Sequence, residues 1–123
     1  MAVGPLGQVH ISVTDLDRSV AFYRDVLGIP LLFRVPGRPM AFFASGQVRL
    51  YLGVPESPEF TTRTVLYFHV EDIDAEHARL VDAGATFDGT PHVVHRDGAT
   101  ELWMSFCRDP DGHHVALMQE RPA

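Results

Sequence analysis

The chain has a single cysteine, no lysine and no apolar run long enough to cross a membrane, and each shortage excludes a class of chemistry. With Cys107 alone there is no internal disulfide and no cysteine-based zinc site. Without lysine there is no Schiff-base catalysis. A spanning helix needs about 18 or more consecutive apolar residues, and none occurs, so no membrane partner is expected. The opening "MAVGPLGQ" has neither the basic nor the apolar segment of a secretory signal, which makes a cytoplasmic location the expectation. No P-loop, dinucleotide glycine motif, nucleophile elbow or "HExxH" is found. Basic charge is also scarce. Ten arginines stand against sixteen acidic residues, a net charge of −6. Nucleic-acid binding needs clustered cations, so it is not expected.

What is present is a pattern that occurs twice. "SVTDLDRSVAFYRDVLG" runs from a strand end into a helix that should stop at Gly28, and "HVEDIDAEHARLVDAG" repeats this up to Gly84. Val13, Asp15 and Asp17 correspond to Val70, Asp72 and Asp74. Asp15 and Asp72 suit N-caps, since their carboxylates can accept from unpaired first-turn amides. Leu16, Val20, Tyr23 and Leu27 recur at helical spacing, as do Ile73, His77 and Leu80. Gly28 and Gly84 suit a left-handed C-cap. The first helix is followed by the strand signals "IPLLFRV", "MAFFA" and "VRLYLGV". The second is followed by "ATFDG", "ELWMSFC" and "HVALMQ", with "DPDG" as a type I turn. The polar connector "PESPEFTTR" separates two modules, 6–54 and 64–121. Neither can bury both sheet faces alone, so they are expected to pair as one domain, 1–123.

This doubled βαβββ order, with "VTDLDRSVAFYRDVLG", "VEDID" and "RDPDG", resembles the vicinal oxygen chelate superfamily. That group includes glyoxalase-type lyases, extradiol dioxygenases, epimerases and bleomycin-resistance proteins. The resemblance covers nearly the whole chain. It implies an α+β fold of two paired βαβββ modules whose sheets form an open cup for a small ligand, often completed by a homodimer. It does not fix the reaction, because members differ widely in chemistry.

In metal-using relatives a His lies five residues before the Val of "VxD", and a Glu four residues after the Gly of "DPDG". Those positions here hold Gln8, Val65 and Ala116, with Arg49 or Tyr51 as the fourth. His10 and His69 are displaced from the ligand positions by two and four residues. At about 3.3 Å per residue that is roughly 7 and 13 Å, far beyond the tolerance of a metal–imidazole bond. No metal or other cofactor is therefore expected. A relocated divalent centre would need a third ligand such as His114 or Glu120.

Strand alternation supplies the candidate lining. In "QVHISV", Val9, Ile11 and Val13 face the helices and His10 faces the other way. By the same rule Arg49, Tyr51, Tyr67, His69 and His114 point inward, and Trp103 is placed with them. Aromatic walls and a guanidinium suit an organic ligand, although each of these side chains could equally be packing or solvated. His77 reads as packing, His113 as exposed and Cys107 as a buried strand residue. The segment "DGTPHVVHRDGAT" reads as a hairpin connection, or as a lid over 88–100. The leading expectation is metal-independent binding of a small organic molecule. The rival is a lyase, epimerase or dioxygenase using a relocated metal, or His10 or His69 as a general base. A purely structural interaction module is a third reading.

Overall fold

The computed structural model describes residues 2–123 and divides into two units, Met1–Arg63 and Thr64–Ala123. Each unit is an α+β module with one four-stranded sheet. In the first, β1 (Gln8–Ser12) leads into α1 (Leu16–Ala21), then β2 (Leu31–Arg34), β3 (Met40–Ser45) and β4 (Val48–Gly53). In the second, β5 (Val65–His69) leads into α2 (Ile73–Asp82), then β6 (His92–Asp97), β7 (Thr100–Arg108) and β8 (His114–Pro122). The sheet orders are β1-β4-β3-β2 and β5-β8-β7-β6, so the doubled sequence yields the same topology twice. In each sheet the first strand lies parallel to the last, and the remaining pairs are antiparallel. A register shift interrupts β2 between Leu31 and Phe33 and β6 between Val93 and His95. The irregularity thus sits on the corresponding edge strand of each sheet.

Both helices start as the sequence implies. Asp15 Oδ1 accepts from the Arg18 amide and Asp72 Oδ1 from the Ala75 amide, each at 3.1 Å. Both helical stripes pack inward. Val20, Tyr23, Ile73 and Leu80 are buried, and Ile11, Leu50, Leu52 and Phe43 come up beneath α1 from the first sheet. The first helix is not α-helical to its end. Phe22–Val26 widen into a π turn, with the Leu27 amide reaching back five residues to the Phe22 carbonyl at 2.9 Å. The wider turn accompanies complete burial of the bulky Tyr23. Gly28, at φ 79°, then reverses the chain in a conformation that side chains with a Cβ rarely adopt.

Three expectations are corrected here. "ATFDG" is not a strand: Phe87 forms only an isolated bridge to Cys107. The third strand of the second sheet is instead His92–Asp97, so 88–100 is not a bare hairpin connection. Its residues are largely exposed on both faces at a sheet edge, which erases the apolar alternation that would mark a strand. His113 is buried, at 8 % exposure. Its Nδ1 accepts from the Thr64 amide at 3.4 Å, and its own amide donates to Asp109 Oδ1 at 2.8 Å. Among the described residues no helix is long and apolar enough to cross a membrane.

Candidate functional site

In the first unit the helix covers one sheet face, and the other carries a continuous row of rings. Register places Phe33 beside Phe42, Phe42 beside Tyr51 and Tyr51 beside His10, one side chain on each of the four strands. Ring centroids are 4.8 Å apart for Phe33–Phe42, 4.9 Å for Phe42–Tyr51 and 4.5 Å for Tyr51–His10. The first two pairs are stacked at interplanar angles of 26° and 15°. These spacings match the distance between neighbouring strands. Near-parallel rings that close cannot lie flat side by side, so they stand stacked and turn their rims, not their faces, away from the sheet. The Arg49 guanidinium sits 5.3 Å over the Phe42 ring, and Arg49 pairs in register with Gln8.

At the β1 end of the row is a pocket of about 420 Å³, lined by Gln8, His10 and Tyr51 and by the apolar Pro39, Met40, Val54, Pro55 and Phe60. Arg38 and Glu56 also line it, held to each other at 3.6 Å. The His10 Nδ1 is buried and has no hydrogen-bond partner. Close behind the pocket, the connector is tied to β1. The Ser12 amide donates to Thr62 Oγ1 at 3.0 Å and the Thr62 amide donates to Ser12 Oγ at 2.9 Å, which gives the last residue of that edge strand a partner.

In the second unit the sheet face away from α2 carries three of the expected residues. Val65, Tyr67 and His69 stand in register with His114, Ala116 and Met118, and those with Arg108, Phe106 and Met104. Tyr67, half exposed, meets Phe106 edge to face at 6.4 Å. Trp103 is not on this face. Register pairs it with Gln119, and Ser105 and Cys107 follow on the same side opposite Leu117 and Val115. It therefore sits on the α2 side. There Arg121 covers its ring at 4.7 Å while holding Asp74 at 2.6 Å. Its indole N–H points at Glu101, whose carboxyl is held below the usual range chiefly by its hydrogen bond from Arg96. The placement of Trp103 in the lining is corrected by this register.

Thus His10, Arg49 and Tyr51 come together on one face, and Tyr67, His69 and His114 share another. Phe42 and Phe33 complete the ring row but were not anticipated. Alternation from Tyr51 through an antiparallel neighbour selects Phe42 over Phe43 once the pairing is known.

The four positions that hold a metal in metal-using relatives do not fit one here. Register resolves the fourth as Tyr51: Ala116 is the partner of Tyr67, and Tyr51 is the partner of His10, which stands at the matching place in the first module. The alkyl side chains of Val65 and Ala116 offer no lone pair, which leaves only the Gln8 amide and the Tyr51 phenol at the four positions. Nor do His69 and His114 combine. His69 pairs with Met118, four steps along β8 from His114, which is about 13 Å of extended chain. Among the described residues no three His, Cys, Asp or Glu side chains gather as a metal site. Cys107 is fully buried, and burial foremost, with Asp109 and Asp88 adding, pushes its thiol up to about 11.

Comparison with known proteins supports the fold. Residues 6–117 match the family described as the Glyoxalase/Bleomycin resistance protein/Dioxygenase superfamily. The metallothiol transferase FosB of Shouchella clausii is 31% identical, over 98% of this chain and 86% of that protein. A probable lactoylglutathione lyase of Vibrio cholerae is 27% identical, over 92% and 88%. The crystal structure of TnmS3, an antibiotic binding protein from Streptomyces sp. CB03234, superposes with a TM-score of 0.77 at 26% identity. The match covers 100% of this chain and 99% of that one.

Proposed function

The chain belongs to the glyoxalase/bleomycin resistance protein/dioxygenase superfamily, and from that premise we propose that it binds a small organic molecule without the metal centre of its metal-using relatives. The observation that carries this reading is the pocket at the end of the ring row. Apolar walls from Pro39, Met40, Val54, Pro55 and Phe60 surround a few convergent polar groups on Gln8, His10 and Tyr51. Pockets that hold drug-sized organic molecules have this composition and this range of size. The likeness to an antibiotic binding protein along the full chain supports a binding role. His10, Arg49 and Tyr51 contribute contacts in the first unit, and Tyr67, His69 and His114 in the second. The same proposal takes the protein to work as a homodimer in the cytoplasm.

The test is a thermal-shift screen of organic compounds on protein purified without added metal. At least one compound should raise the melting temperature in a concentration-dependent way, since a ligand that binds only the folded state stabilises it. Chelator should leave both the starting temperature and the shift unchanged. Loss of either with chelator contradicts the reading.

One observation favours an enzyme instead: the His10 Nδ1 lacks a partner beside the pocket, as an uncommitted base would. A stabilising compound recovered chemically altered, with the conversion abolished in His10→Ala, establishes that version. Recovery of the compound unchanged rejects it.

A further inference from the structure

We infer that the molecule held at the first unit's ring row carries a negative charge, an apolar body ending in a carboxylate or similar oxyanion; the inference rests on the binding reading above. The net charge of −6 would by itself favour a cation, but the local arrangement is opposite in sign.

Most arginines are neutralised locally. Arg24 pairs with Asp25, Arg34 with Asp17, Arg38 with Glu56, Arg79 with Glu76, Arg96 with Glu101, Arg108 with Asp88 and Arg121 with Asp74. Arg49 differs from these: among the described residues no carboxylate stands within ion-pair reach of it, and its guanidinium lies near the Phe42 ring. The exposed guanidinium lies 5.3 Å from the centre of that ring, on the sheet face away from α1, where its planar fork can take an oxyanion with two parallel hydrogen bonds.

The surroundings match. Gln8 is the register partner of Arg49 and also lines the pocket, and its side-chain amide has N–H groups to donate to an oxyanion. Arg49 is two residues from Tyr51, about 7 Å along β4, a reach spanned by one or two aromatic rings bearing an acid group. The stacked Phe33, Phe42 and Tyr51 turn their rims outward, and the rim of an aromatic ring is the positive part of its quadrupole. The carboxylate that lines the pocket, Glu56, is engaged by Arg38. Cation, amide and ring rims therefore all favour an anionic oxygen. The apolar pocket residues favour the body that bears it.

Three probes of one shape decide the sign: 2-naphthoate, 2-naphthamide and 2-naphthylmethylammonium, titrated calorimetrically into the full chain. The acid should bind at least about tenfold more tightly than the amide or the amine, the scale of one charge-assisted hydrogen-bond pair. Arg49→Gln should abolish the preference, bringing the acid to the affinity that the same variant shows for the amide, with far-UV circular dichroism checking that the variant is folded. The inference is overturned if the amide or the amine equals the acid, a result that leaves the pocket reading standing. It is also overturned if Arg49→Gln preserves the preference for the acid. If none of the three binds, the charge assignment fails, and a stabilising compound in the wider screen then shows whether the pocket reading survives it.

Discussion

Tyr51 lies over Gly53, two residues along β4, so closely that a methyl group on Gly53 would stand 2.7 Å from Tyr51 Cε1 and from its hydroxyl oxygen. The absence of a side chain at 53 is what lets the Tyr51 ring lean along the strand while remaining stacked on Phe42. Gly53→Ala should therefore displace the ring and weaken the binding of any pocket ligand several-fold. The expected cost in stability is about 1–3 kcal/mol from overpacking. Calorimetric affinity and urea unfolding of the same variant read the two effects separately. An unchanged affinity would mean that Tyr51 does not shape the site.

Phe42 stands between Phe33 and Tyr51 and is 9 % exposed. Phe42→Ala removes both stacking contacts and leaves a gap in the row, so unfolding should become easier by about 3 kcal/mol. Phe33→Ala, at the exposed end of the row, should cost about 1 kcal/mol or less. Denaturant midpoints at constant slope measure both changes.

Much of this architecture is legible in the chain itself. The repeated Val–x–Asp–x–Asp followed by a C-capping glycine marks both helices and both caps, because capping chemistry is local. Strand alternation correctly sets His10, Arg49 and Tyr51 on one face, since β1 and β4 are apolar on their other side only. Where both faces are apolar, alternation is silent. "ELWMSF" carries apolar residues on either side of β7, and only pairing with β8 shows that Trp103 turns towards α2. "MAFFA" conceals Phe42 for the same reason. Strand β6 fails in the opposite way, being polar on both faces. The π turn at Phe22–Val26 leaves no mark, because the helical spacing of Val20, Tyr23 and Leu27 suits an α-helix equally well.

The helix caps make a direct pair of tests. Asp15→Ala and Asp72→Ala each remove one carboxylate that accepts a first-turn amide at 3.1 Å. Each should lower stability by about 1 kcal/mol, with Asn substitutions recovering most of the loss. Thermal unfolding of the four variants checks this.

Cys107 links burial to pH. Its folded-state thiol titrates at about 11 against an ordinary value of 9.0, so the unfolded chain releases the proton first. The stabilising contribution is complete below pH 9 and is lost as pH rises from 9 towards 11. Wild type should lose stability across that window, and Cys107→Ala should lose less over the same range while starting from a lower value. At neutral pH the folded thiol should resist a thiol-reactive disulfide reagent and react fully once unfolded. Rapid reaction in the folded state would contradict its burial.

The central claim is that an organic molecule occupies the pocket beside His10 and Tyr51 with no metal involved. Amide-resolved NMR, recorded while a stabilising compound from the screen is titrated in the presence of chelator, tests it most directly. The account predicts saturable shifts at Gln8, His10, Tyr51 and Val54. Shifts that vanish when chelator is added, or binding that leaves those four amides unmoved, would contradict it.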